Sequence, residues 1–132
     1  MPDAVTTTAL AYWAGVERLL ENADFFAVYD RYPVNKGHTL IVSKRSDAKD
    51  MFDLSIGEWI SLQAMIREVT KRLGQLHHPD GYNIGANCGV HAGQTVMRFH
   101  LHVIPRYAYD VENPQGGIRN FKPALVTYVL EE

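Results

Sequence analysis

The stretch that most constrains the fold is residues 96–104, Val-Met-Arg-Phe-His-Leu-His-Val-Ile. Side chains along a strand alternate between its two faces. Phe99, Leu101 and Val103 therefore share one face, and Arg98, His100, His102 and Ile104 share the other. A wholly apolar face has to lie on a core, so the pattern predicts a half-buried strand that stops at Pro105. Its other face sets two imidazoles beside a guanidinium, about 6.5–7 Å apart along the strand.

A partner for the apolar face lies upstream. Ile56, Trp59, Leu62, Ile66, Val69 and Leu73 form one stripe of a helix predicted over 56–73. Ser55 and Glu58 have capping-box spacing at its start, and Lys71, Arg72 and Gly74 suit its end. Leu10, Trp13, Val16 and Leu20 predict a second helix over 8–20, interrupted by Gly15. Strands are predicted at 25–29, 38–42 and 82–86, with a further edge strand at 124–130. Pro33, Asn35 and Gly37 mark a turn, and residues 87–94 a loop. Antiparallel strands with helices grouped apart make an α+β architecture, expected as a five-stranded sheet with helices on one face.

Composition narrows the setting. The 132 residues carry a net charge of −2, which argues against a general nucleic-acid coat. The lone cysteine, Cys88, excludes an internal disulfide and suits a reducing compartment. No apolar run approaches the ~20 residues of a membrane span, and Met1-Pro2-Asp3-Ala4 does not open a signal peptide. The expectation is a single cytoplasmic domain over 1–132, with a core at about 17–106 and an extension at 107–132. No membrane or nucleic-acid partner is expected.

Three chemistries fit the His100–His102 face. It is an ordinary half-exposed strand; or a metal site, with Cys88 or His38 as a third ligand and Arg98 opposing the cation; or an anion site. In the last, loop N–H groups, the Asn87 and Gln94 amides and the Thr95 hydroxyl donate to a phosphate. Arg98 and His102 add charge, and a neutral His100 supplies a nucleophilic nitrogen.

The run from Gly93-Gln94-Thr95-Val96 through His100-Leu101-His102-Val103-Ile104-Pro105-Arg106 resembles the signature of the histidine triad family of nucleotide hydrolases and transferases. Asp30 followed by Pro33-Val34-Asn35-Lys36-Gly37-His38 resembles that family's turn and strand, and Tyr82–Gly89 its strand and loop before the signature. The likeness covers about residues 17–119. The three triad positions hold Arg98, His100 and His102, so the first histidine is replaced. The amino-terminal cysteine segment of zinc-bearing relatives is missing, and no structural zinc is expected. The tail after 106 resembles relatives of diadenosine tetraphosphate hydrolases.

The resemblance implies that His100 attacks an α-phosphate to give a nucleotidyl-histidine, which water resolves. It implies that His102, Gln94, Thr95 and Asn87 hold phosphate oxygens, and that His38 supports the site. Asp30 takes the ribose hydroxyls, and residues around Phe25 and Ile41 form the base pocket. Arg98 stays charged, favours neutral His100 and clamps a further phosphate, which tilts the expectation toward dinucleoside polyphosphates. No metal is obligatory, although Mg²⁺ can accompany a polyphosphate. A homodimer is expected. The alternative is a nucleotide-binding sensor in which Arg98 has cost efficient turnover.

Overall fold

Apolar runs form the strands, and a capped amphipathic segment forms the helix that covers them. The computed structural model describes residues 11–122. In chain order these give β1 (Leu20–Glu21), β2 (Phe25–Tyr29), β3 (Thr39–Ser43), α1 (Ile56–His77), β4 (Gly81–Gly85) and β5 (His100–Arg106). The five strands make one antiparallel sheet in the order β1-β2-β3-β5-β4. α1 is the one long helix among the described residues.

β5 alternates as its sequence requires, with Leu101, Val103 and Pro105 buried and His100, His102 and Ile104 half-buried. Phe99, Leu101 and Val103 pack with Leu62, Met65, Val69 and Leu73 of α1. Each such side chain contributes about 1.5–3 kcal/mol by leaving water. α1 starts at the expected capping box. The Ser55 hydroxyl accepts the Glu58 N–H, and a Glu58 carboxylate oxygen accepts the Ser55 N–H. The Arg45 guanidinium, bonded to both Glu58 oxygens, holds that carboxyl at about 2.

Several expectations need correction. Gly15, at φ +75°, breaks the segment predicted as helix 8–20, whose residues after 15 lead into β1; its first residues lie outside those described. Among the described residues the short β1 supplies the fifth strand; the strand expected at 124–130 lies outside them. α1 runs past Gly74 to His77 and ends on left-handed His78, whose N–H donates to the Gly74 carbonyl. Ile56 is 82% exposed and Trp59 44%, so the first turn overhangs the sheet and the buried stripe begins at Leu62. β5 also continues through Pro105. Pairing with β4 on one side extends to Gly81↔Arg106, while the described β3 pairing ends at Thr39↔Val103. Pro105 therefore has no β3 partner to miss its N–H.

Candidate active site

The face of the sheet opposite α1 is closed at one end by Trp13, Phe26, Val28, Leu40, Val42 and Val96. Beside this cluster the β3–β5 register brings His100 opposite Val42 and His102 opposite Leu40. The turn from Pro33 to Gly37 then returns His38 to the head of β3. Gly37 is needed there. It has φ +89°, and a Cβ would lie 2.8 Å from the His77 ring and 3.2 Å from Pro105. Asp30 closes the other side of the turn, its N–H donating to the His38 carbonyl.

Backbone groups set the histidine tautomers. The Val34 N–H donates to His38 Nδ1 at 3.0 Å, so the His38 proton sits on Nε2. That Nε2 lies 2.9 Å from His102 Nδ1 and 3.4 Å from Asp30 Oδ2. His102 Nδ1 therefore accepts, and its own proton sits on Nε2. His100 is set the opposite way. Its Nδ1 lies 2.8 Å from the Arg98 carbonyl, which only accepts, so Nδ1 carries the proton and Nε2 is a bare lone pair. Burial pushes the pKa of all three rings below the ordinary histidine value. For His102, burial and the neighbouring His100 and His38 bring it to about 4. The site at neutral pH thus offers an uncharged nucleophilic nitrogen, on a ring 5.4 Å from that of an N–H donor.

A hollow of about 290 Å³ lies over these rings. Asp30, Asn87, Thr95, His38, His100 and His102 all line it, as Gly93 does. Six of the expected site residues are thereby brought together. The Trp13 ring packs 5.2 Å from His100, and Tyr12 and Tyr32 also face the hollow. The sequence pattern does not mark these aromatic walls, since its spacing places Trp13 on the core stripe of a helix. The adjacent Tyr12-Trp13 pair outside a regular element was the available signal.

Four expected site residues are elsewhere. Phe25 and Ile41 are fully buried in the α1-side core, so neither can touch a base in this hollow. Their neighbours Phe26 and Leu40 face the cleft side, because the strand phase is the reverse of the expected one. Gln94 is buried and occupied. Its Oε1 accepts the Gly89 N–H, and its amide hydrogens go to the Lys49 and Val96 carbonyls. It shapes the loop and has no donor to spare for phosphate. Arg98 precedes β5 and turns away from the hollow. Its guanidinium donates to the Ser43 carbonyl at 2.8 Å and the Lys44 carbonyl at 3.2 Å, and lies 5.5 Å from the Phe26 ring centre. It clamps the end of β3 to the segment entering β5, and no phosphate placed in the hollow meets its charge.

Asp30, His38 and His102 are the described group closest to a metal-ligand set, with ligand atoms within 4.8 Å of one another. They fit a cation poorly. A metal at His38 Nε2 needs the lone pair that the Val34 N–H has forced onto Nδ1.

The HIT domain family matches residues 16–109. An uncharacterised HIT-like protein of Methanocaldococcus jannaschii is 42% identical over 99 residues, covering 74% of each chain. AP-4-A phosphorylase of Mycobacterium tuberculosis is 34% identical over 88 residues, 64% of this chain and 44% of that one. The crystal structure of a HIT family protein from Bacillus anthracis superposes with a TM-score of 0.68 at 31% identity, covering 76% of this chain and 70% of that one. The chain spans about 60% of the length of two further curated relatives.

Proposed function

The chain belongs to the HIT domain family, and on that premise we propose that it cleaves a nucleotide at its α-phosphate through a nucleotidyl-histidine on His100. The observation that carries this reading is the bare Nε2 of His100, fixed by the Nδ1–H bond to the Arg98 carbonyl and facing the same hollow as His102.

The reaction has two displacements. The His100 Nε2 lone pair attacks phosphorus, the N–P bond forms, and the bond to the leaving group breaks with its electron pair leaving on that group. Water then attacks phosphorus, its proton goes to solvent, and the N–P electron pair returns to Nε2. His100 keeps its Nδ1 proton throughout, and the Arg98 carbonyl steadies the positive charge of the nucleotidyl-imidazole. The His102 Nε2–H donates to a phosphate oxygen. The Thr95 hydroxyl and the Asn87 amide are the remaining phosphate donors. His38 holds the His102 tautomer, and Asp30 accepts the ribose hydroxyls. Tyr12 and Trp13 replace Phe25 and Ile41 as walls for the base.

The substrate class we assign is a dinucleoside polyphosphate or a related purine nucleotide, in keeping with the activity in the relative's name, AP-4-A phosphorylase. No metal takes part in the chemistry of the chain's own residues, and Mg²⁺ enters only as a companion of a polyphosphate. The working form we assign is a homodimer in the cytoplasm; the single free Cys88 suits that compartment, and no described helix is long and apolar enough to cross a membrane.

The test is incubation with diadenosine tetraphosphate, with products separated by chromatography. Wild-type protein releases AMP and the His100→Ala variant does not. Equal product from both removes His100 from its role. Tight nucleotide binding with no product from wild type replaces the enzyme by a nucleotide-binding module.

A further inference from the structure

The buried stripe of α1 runs through Leu62, Met65, Val69 and Leu73, and its next place, one turn on, is the last residue of the helix, His77. A histidine there sets two ring nitrogens where the stripe calls for an aliphatic side chain. Nε2 lies 3.1 Å from the hydroxyl of Tyr29 on β2. Nδ1 is shut away from water and is the one buried side-chain nitrogen or oxygen without a hydrogen-bond partner among the described residues. Such an unmatched atom costs stability. The ring is therefore kept for something other than its own hydrogen bonding.

Its carbon edge shows what that is. Cδ2 and Cγ face Gly37, where a Cβ would come within 2.8 and 3.3 Å of them. Gly37 is in left-handed backbone and stands directly before His38, and its carbonyl accepts the Thr39 hydroxyl at 2.8 Å. Elsewhere the turn is tied by hydrogen bonds. The Asn35 amide donates to the Pro105 carbonyl, and the Lys36 carbonyl accepts the Tyr107 hydroxyl. Those bonds hold Asn35 and Lys36. Toward α1, Gly37 meets the His77 ring, and the bond to Tyr29 sets that ring's rotation. His38 lies one residue before β3, and its N–H donates to the Asn35 carbonyl, so its backbone follows the turn it closes.

We infer that His77 is a positioning residue. From the end of α1 it supports Gly37, and so holds His38 Nε2 at its 2.9 Å from His102 Nδ1. That bond keeps the His102 proton on Nε2. Given the proposed function, on which this inference rests, the same N–H meets the phosphate oxygen, so the helix across the sheet sets a donor in the cleft. Without the ring, Gly37 has the backbone freedom to settle into the gap. His38 follows it, and both tautomers of His102 become populated.

Nitrogen-15 NMR of the histidine rings in the free protein at neutral pH reads the tautomers without any turnover. Wild type shows His102 with Nδ1 bare and Nε2 protonated. His77→Ala moves the His102 Nδ1 resonance toward the protonated position, and lowers kcat on diadenosine tetraphosphate about tenfold with KM nearly unchanged. His77→Phe, which restores a planar ring against Gly37 without the nitrogens, returns the resonance to its wild-type position. Tyr29→Phe alters a side chain that is 40% exposed, so it keeps the fold, and moves the resonance less far in the same direction. The His77→Ala resonance decides; if that variant does not fold, the Tyr29→Phe resonance decides in its place. An unmoved resonance overturns the inference whatever happens to stability, as does a wild-type His102 protonated on Nδ1 or a His77→Phe protein that behaves like His77→Ala. A moved resonance in a protein that turns nothing over sustains the support and sinks only the catalytic reading.

Discussion

Replacing Arg98 by Met separates its structural role from a catalytic one. Arg98 is buried, donates to the Ser43 and Lys44 carbonyls and stacks near Phe26, while no part of it lines the hollow over His100. Hydrogen bonds from a charged donor contribute about 1.5–3 kcal/mol each. The methionine chain restores some packing on Phe26. The net loss is therefore about 3 kcal/mol, and the thermal midpoint falls by about 10 °C. Urea unfolding followed by circular dichroism measures the first quantity and a thermal scan the second. kcat/KM on diadenosine tetraphosphate, taken well below the midpoint, stays within about threefold of wild type. Arg98→Lys, whose single ammonium reaches one carbonyl, falls between the two in stability. A hundredfold loss of kcat/KM with an unchanged urea midpoint refutes the reasoning and returns Arg98 to the reaction.

Other consequences are equally open to measurement. The His100 pKa lies below the ordinary 6.5, so kcat/KM is flat above pH 7 and falls as acid protonates Nε2; a fall toward alkaline pH across 6–8 contradicts a neutral nucleophile. His102 has a folded pKa of about 4 against an unfolded value near 6.5. The unfolded chain binds more protons in that window, so stability is full above pH 6.5 and declines progressively toward pH 4; urea midpoints across the range read it. His38→Phe removes the donor that sets the His102 tautomer and lowers kcat by roughly a hundredfold, with the fold kept by circular dichroism. Ser55→Ala opens the capping box and costs about 1 kcal/mol in urea unfolding, with no change in the denaturant slope.

The strand that carries the site was readable because only one of its faces is apolar. β5 has a single phase that satisfies its neighbours, and the helix opposite it advertised its start through Ser55 and Glu58. The base pocket was misread for the converse reason. Phe-Phe-Ala-Val-Tyr and Thr-Leu-Ile-Val-Ser are buried on both faces, four of five and five of five residues. Such runs carry no period that tells which face the helix takes. Arg98 was placed by extending the β5 alternation backwards, but the strand begins at His100, and the backbone before it follows no such rule. Gln94 looked like a ligand donor because its partners, the Lys49 and Val96 carbonyls, are set by tertiary structure. The 8–20 helix failed at Gly15, whose positive φ turns the chain so that Trp13 lands against His100. The histidine tautomers lay beyond any sequence pattern, since backbone groups of Val34 and Arg98 decide them.

The central claim is that His100 Nε2 becomes bonded to phosphorus. Mass spectrometry of protein mixed with diadenosine tetraphosphate and quenched within milliseconds tests it directly. The account predicts a transient gain of one adenylyl group, mapped to His100, that decays as free AMP appears and is absent from His100→Asn. An adduct on another residue contradicts it, as does AMP release by His100→Asn at the wild-type rate.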